Sequence, residues 1–287
     1  MRWRAKVAGW ILLGLAALAF ALSPALRAAA HDFLQGFRLR RLLVVPYTFS
    51  MPTAAGEALS RILGDDLAFE PVEPRMVQSL SEAEALLGFP VRSPARVEEF
   101  ITLQVMPAAS ARWTVDVGHL REAMRVAGAE DVAIPDALHG TVLTVTVGPI
   151  LLATFEAEGN PYGWAQAPLP VYTMQPEGDV QPLAEAALRL MGMPAEEARR
   201  LARTVNWQTT LLLPVPMAPG MTVEVEPIPA AGQDATLFTF PQAAHTPSGE
   251  ALPVRFLLWH DEEFLYLLGG PGAEPAQLIA WARGMGH

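Results

Sequence analysis

Between Val7 and Leu26 the chain carries no charge, and Arg2, Arg4 and Lys6 stand directly ahead of that run. As a helix at about 1.5 Å per residue it measures about 30 Å, close to the hydrocarbon thickness of a bilayer. Such a segment has two fates, an uncleaved single-span anchor or the core of an export signal, and either places the remainder outside the cytoplasm. Ala28-Ala29-Ala30 before His31 fits a signal peptidase site, with Pro24 able to end the apolar helix ahead of it. Against cleavage, the run is long for a signal core, and Leu26, Ala30, Phe33, Leu34 and Phe37 keep helical spacing beyond it. The preferred reading is an anchor, and release after Ala30 stays open. Arg27, Arg38, Arg40 and Arg41 follow the span, so the amino-terminal trio sets the orientation only weakly.

Charge narrows the partners. The whole chain carries −10, but residues 42–287 hold 13 basic and 29 acidic side chains, or −16. Nucleic acid is excluded as a partner because phosphate binding needs a basic footprint, and the same repulsion keeps the body off anionic lipid. Cysteine is absent, which removes disulfides, thiolate zinc sites and a cysteine nucleophile together.

The organisation expected is residues 1–27 as cytoplasmic tip and anchor, 28–75 as juxtamembrane helix, short strand and linker, and 76–287 as an extracytoplasmic α+β domain. Leu39–Val45 reads as a strand ended by Pro46, and Thr53–Leu63 as a helix closed by Gly64, before a linker rich in proline and acid. Ser81 and Glu84 have capping-box spacing for a helix that stops at Gly88. Short β-branched or aromatic runs follow at Phe100–Val105, Trp113–Val115, Thr141–Val147, Ile150–Phe155 and Pro170–Met174, then at Thr209–Val215, Thr222–Glu226 and Thr236–Phe240. Asp116 caps a helix over Val117–Val126 with a Leu120, Ala123, Met124 and Ala127 stripe, ended by Gly128. Asp179 caps another with Leu183, Ala186, Ala187 and Leu190, and Pro194 opens a third. Arg255–Trp259 and Phe264–Leu268 form a hairpin around Asp261-Glu262, Gly269 to Pro275 turns the chain, and Ala276–Arg283 is a closing helix. The proline-rich stretch 214–232 reads as a loop-bearing connector. Strands joined mostly by short turns, with helices in blocks, predict an antiparallel sheet covered by helices.

Two stretches carry a family likeness. Ser81–Val97, "SEAEALLGFPVRSPARV", resembles the beginning of bacterial extracytoplasmic domains of the DUF4367 type, and Phe256–Ala282, "FLLWHDEEFLYLLGGPGAEPAQLIAWA", resembles their end. Ala25–Val45 is similar to the region after the single span of some membrane-anchored anti-sigma factors. The resemblance covers about a third of the chain and implies a curved, half-barrel sheet partly closed by helices, like that of LolA and RseB. It also implies a sensory or ligand-binding role. The zinc-binding anti-sigma module of that family has no counterpart here, since six residues precede the span and no cysteine exists.

Chemistry is sparse. No Gly-x-Ser-x-Gly, His-Glu-x-x-His, P-loop or Gly-x-Gly-x-x-Gly pattern is present, so no catalytic residue, cofactor or metal ligand is assigned. His260-Asp261-Glu262-Glu263 reads as a solvated turn, because adjacent strand positions face opposite ways. His139-Gly140 reads as turn chemistry. Trp113, Trp207, Trp259 and Tyr266 lie on or beside expected strands and could line the apolar face of a half-barrel, against a plainer role as core. Tyr162 and Trp164 in "NPYGW" are read as loop residues able to meet a partner or to cover a sheet edge.

The function expected is a single-pass, membrane-anchored sensory domain that binds an apolar ligand or a membrane or envelope protein and signals through a partner. The alternatives are a lipid or lipoprotein carrier released by cleavage, and an enzyme whose titratable residues cluster without a known motif.

Overall fold

The computed structural model describes residues 41–48, 73–95, 97, 99–176, 178–207, 210–217, 222–230, 233–245 and 251–285. The expected anchor Val7–Leu26, its helical continuation and the Thr53–Leu63 helix lie outside these residues. Among the described residues, no helix is long and apolar enough to cross a membrane.

Helix α1, Leu80–Leu87, begins two residues earlier than the Ser81 cap predicts. Ser79 is the N-cap, accepting from the Glu82 amide at 3.1 Å, while the Glu82 carboxylate accepts from the Gln78 amide at 2.8 Å. Both serines stand three residues before a glutamate, and Ser79 wins because its partner Glu82 falls in the first turn. Glu84 is released to accept from the Val91 amide at 2.8 Å. Gly88 ends the helix as expected, at φ 78°, a left-handed conformation that costs glycine little. Ser79→Ala is therefore expected to cost about 1 kcal/mol in thermal or urea unfolding, and Ser81→Ala to stay within about 0.5 kcal/mol.

The chain divides into two compact units. One contains residues 72–109, 147–169 and 221–287 and is built on an eight-stranded sheet. Its strands are β2 (Arg75–Val77), β3 (Thr102–Met106), β6 (Ile150–Ala157), β7 (Asn160–Pro168), β10 (Glu224–Ala230), β11 (Gln233–His245), β12 (Ala251–His260) and β13 (Phe264–Pro271), in the spatial order β10-β11-β12-β13-β7-β6-β3-β2. Every pairing in it is antiparallel. The register lines up side chains that are apolar but for Gln166: Leu103, Ala153, Trp164, Leu268, Leu257 and Leu237 are successive partners, and Val105, Leu151, the buried Gln166, Tyr266, Trp259 and Ala235 form the next row. These residues, with Ala83 and Leu87 of α1 and Leu278, Trp281 and Ala282 of the closing helix α5 (Pro275–Arg283), make one buried core. At about 1.5–3 kcal/mol for each large apolar side chain fully buried, this face is the main stabilising term of the unit. At the far edge, β10 carries Pro227 and Pro229 with exposed Glu224 and Glu226, which removes amide donors from the border and discourages pairing with another chain.

The second unit contains residues 1–71, of which 41–48 are described, with 110–146 and 170–220. A three-stranded sheet in the order β4 (Ala109–Thr114), β5 (Val142–Val147), β8 (Val171–Gln175) accompanies helices α2 (Val117–Val126), α3 (Gln181–Leu190) and α4 (Ala195–Thr204). Asp116 caps α2 as expected, accepting from the His119 amide at 2.9 Å, and Leu120, Ala123 and Met124 are buried. They pack with Leu183, Ala186 and Leu190 of α3 into one core. Asp131 ties the helices together outside it, accepting bidentately from Arg189 at 3.0 and 3.1 Å and from Arg199 at 2.8 Å.

The expected half-barrel is corrected by this arrangement. The strands do not join one curved antiparallel sheet. They form an eight-stranded sheet, a separate three-stranded sheet, and a parallel pair of β1 (Arg41–Thr48) and β9 (Thr210–Met217), in register from Arg41 with Thr210 to Thr48 with Met217. The local patterns fix strands and helices, whereas which strands share a sheet is decided by pairings remote in sequence. In the stretch 214–232 the expected strands Thr209–Val215 and Thr222–Glu226 appear as β9, which ends two residues later, and β10, which runs on to Ala230. Among the described residues, Pro214, Pro216, Pro227 and Pro229 lie on strands at the border of their sheets, where a missing N–H breaks no interior ladder.

Candidate functional site

Of the six aromatic candidates, four lie in the core of the eight-stranded sheet. Trp259 and Tyr266 are cross-strand partners on β12 and β13, their rings stacked 5.1 Å apart. Trp164 is 2% exposed and stacks on Phe100 at 5.7 Å; Tyr162 is stacked on Phe155 and meets Trp281 edge-on at 5.0 Å. The loop expected at Asn160–Trp164 is the first half of β7, paired with β6 on one side and β13 on the other. Pro161, the second residue of that strand, does no harm because its position precedes the doubly paired stretch, so the turn-like dipeptide misleads. Trp113 and Trp207 belong to the other unit. Trp113 packs against the α2–α3 core, and Trp207 lies against Leu188 and Ala198 with its indole donating to the Ala202 carbonyl at 2.8 Å. Among the described residues the indole nitrogens of Trp113 and Trp164 are buried without a hydrogen-bond acceptor.

The densest polar chemistry centres on the β12–β13 turn. Asp261 accepts from the amides of Glu263 at 2.8 Å and Phe264 at 2.7 Å, from the Tyr266 hydroxyl at 2.9 Å, and from the Arg92 guanidinium. Arg92 also donates to the Tyr266 oxygen at 2.9 Å and lies over the Phe264 ring, 5.5 Å from its centre. Beside them Gln166 is fully buried and uses both ends of its amide. Its oxygen accepts from the Arg92 backbone N–H at 2.8 Å, and its nitrogen donates to the Pro90 carbonyl at 3.0 Å. The expectation of a solvated turn is thus corrected for Asp261, whose carboxylate is the hub of a partly buried network; Glu262 and Glu263 do face solvent.

Burial raises the proton affinity of Asp261, but the two backbone donors, the Tyr266 hydroxyl and the Arg92 charge outweigh it and hold its carboxyl below the usual carboxylate range. Tyr266 shifts the other way, upward, through burial first and then its bond to the carboxylate. At neutral pH the pair is a carboxylate and a protonated phenol. A carboxylate with four donors is a weak base, and this phenol is a weak acid, so the group is suited to holding a cation in place and poorly suited to moving protons.

His260 points Nδ1 at the Asp261 carbonyl at 2.9 Å, and His139 is in the other unit, its Nδ1 3.4 Å from the Val117 amide. No group of three potential metal-ligating side chains occurs among the described residues. Arg92 and Gln166 belong to no catalytic or ligand-binding motif in the sequence. One signal for Gln166 was present, since in Tyr162-x-Trp164-x-Gln166 it occupies the third inward position of a strand and is polar where its neighbours are aromatic. No family, curated protein or solved structure matches the chain.

Proposed function

We propose that the chain is a single-pass, membrane-anchored protein whose outer body docks a protein partner in the bacterial envelope. The observation that carries the reading is the uncharged run Val7–Leu26 behind three cations, joined to a body of formal charge −16. Docking a protein is preferred to enclosing an apolar ligand because Trp164, Tyr162, Trp259 and Tyr266 are occupied with one another and with Phe100, Phe155 and Trp281. Large aliphatic side chains face solvent instead, Met76 at 60% and Ile101 at 61% exposure.

The test is membrane topology in cells. The full chain is expected to resist carbonate extraction and to be digested from its carboxy terminus in spheroplasts but not in intact cells. A photocrosslinking residue at Met76 or Ile101 is expected to trap a discrete envelope protein. A soluble product beginning at His31 would put the released carrier in its place, a reading favoured by Ala28-Ala29-Ala30, and recovery from cytosol would end both.

A further inference from the structure

Residues 89–95, which follow α1, cross the polar cluster as an extended strap with no strand ladder of their own. Phe89 packs its ring 4.9 Å from that of Phe264. The Pro90 carbonyl and the Arg92 amide, two residues apart, meet the two ends of the Gln166 side chain, and the Arg92 guanidinium enters the Asp261 and Tyr266 clamp. Among the described residues the Gln166 carboxamide bonds only to the strap, but its backbone and the other receiving groups are held independently of it. Asp261 is fixed by the Glu263 and Phe264 amides of its own turn, Tyr266 stacks on Trp259, and Gln166 is the cross-strand partner of Tyr266.

We propose that Phe264, Gln166, Tyr266 and Asp261 form a recognition site for an extended peptide of the pattern phenylalanine-proline-any residue-arginine, and that Phe89-Pro90-Val91-Arg92 fills it in cis as a displaceable strap. The proposal rests on the protein-docking reading and names the partner's contact chemistry. The receptor demands a carbonyl and an N–H spaced for one carboxamide, a planar guanidinium for a carboxylate and phenol, and an aromatic ring for Phe264. Proline suits the second position because it offers the carbonyl, leaves no N–H to satisfy and keeps the residue before it extended. The strap is less buried than the groups beneath it, with Phe89 and Val91 only partly buried against the core. From residue 89 to 95 only Pro94 is buried, and Pro90 is exposed, whereas Gln166, Phe264 and Tyr266 beneath are all buried. Segments with few buried apolar contacts open locally at lower free energy than the core that carries them.

The test uses the full chain in detergent and a labelled peptide, acetyl-Phe-Pro-Val-Arg-amide. Arg92→Ala empties the clamp in cis and is expected to bind the peptide about tenfold or more tightly than the wild type, because the open fraction rises. Adding Asp261→Asn, or replacing the peptide's arginine by alanine, is expected to abolish that gain. An Arg92→Ala protein that melts cooperatively yet binds no better than wild type overturns the proposal, as does binding indifferent to Asp261→Asn. Should Arg92→Ala not fold, hydrogen exchange on the wild type decides. The Val91 and Arg92 amides are expected to exchange about a hundredfold or more faster than those of Leu257 and Leu268. Exchange of all four at one rate would mean the strap leaves only on global unfolding, and the proposal falls. A trapped envelope partner without peptide binding removes this site alone, and peptide binding by a cytosolic protein removes the anchored reading alone.

Discussion

Trp164→Ala is expected to lower the stability of the eight-stranded unit by about 3–5 kcal/mol, the cost of deleting a large aromatic from a close-packed core. The ring is 2% exposed, stacks on Phe100 and sits in register between Ala153 and Leu268. None of these neighbours can collapse into the space, since two of them belong to strands fixed on both sides. Trp164→Phe separates packing from polarity. It keeps most of the ring and removes an indole N–H that has no acceptor among the described residues, so its loss is expected to stay below about 1.5 kcal/mol. Urea denaturation of both variants provides the measurement. Were Trp164 a loop residue free to meet a partner, as its sequence position in "NPYGW" suggests, the alanine variant would melt within about 0.5 kcal/mol of wild type. That result would restore the loop-contact reading.

What the sequence makes legible is what a few neighbouring residues decide among themselves. Asp116, the Leu120–Met124 stripe and Gly128 define α2 to the residue, and Gly88 stops α1, because a cap, an apolar stripe and a left-handed turn are each short-range events. The β12–β13 hairpin is legible for the same reason. The polar hub is not: Arg92 meets Gln166 across 74 residues and Asp261 across 169, and nothing in either neighbourhood announces the other. The parallel pairing of Arg41 with Thr210 is equally silent, and with it goes the half-barrel. Proline and glycine misled in a consistent direction. "NPYGW" looks like a turn by composition, yet Pro161 is the second residue of β7, and Pro227 and Pro229 extend the strand expected at Thr222–Glu226 along a border where no interior bond is lost. The site follows the same rule: Trp259 and Tyr266, candidates for an apolar lining, and Tyr162 and Trp164, expected in a loop, are core residues, and the buried amide between strands is visible only once register is known.

The pair Gly269-Gly270 shows how register turns a composition signal into energy. By sequence it begins a turn; in the structure both residues continue β13, and each faces a neighbouring strand too near for a side chain. A Cβ on Gly269 would lie 2.6 Å from Phe256 Cα and 2.7 Å from Phe256 Cδ1, and one on Gly270 would lie 3.1 Å from Tyr162 Cα. Backbone atoms of a paired strand cannot step aside, so Gly269→Ala must spread β12 from β13 or displace the Phe256 ring. The expected cost is about 1–3 kcal/mol or more, with loss of the Trp259–Tyr266 stack as a near-ultraviolet circular dichroism signature. Gly163, the partner of Gly269 on the next strand, supplies the control. A Cβ there has its nearest neighbour at 3.9 Å, so Gly163→Ala removes unfolded-state freedom without a clash and is expected to stabilise by about 0.4–1 kcal/mol. Two alanines at adjacent positions of one sheet row should therefore move the urea midpoint in opposite directions. If they moved it together, the pairing of β7, β13 and β12 would be wrong, and with it the register that places Gln166 beside Tyr266.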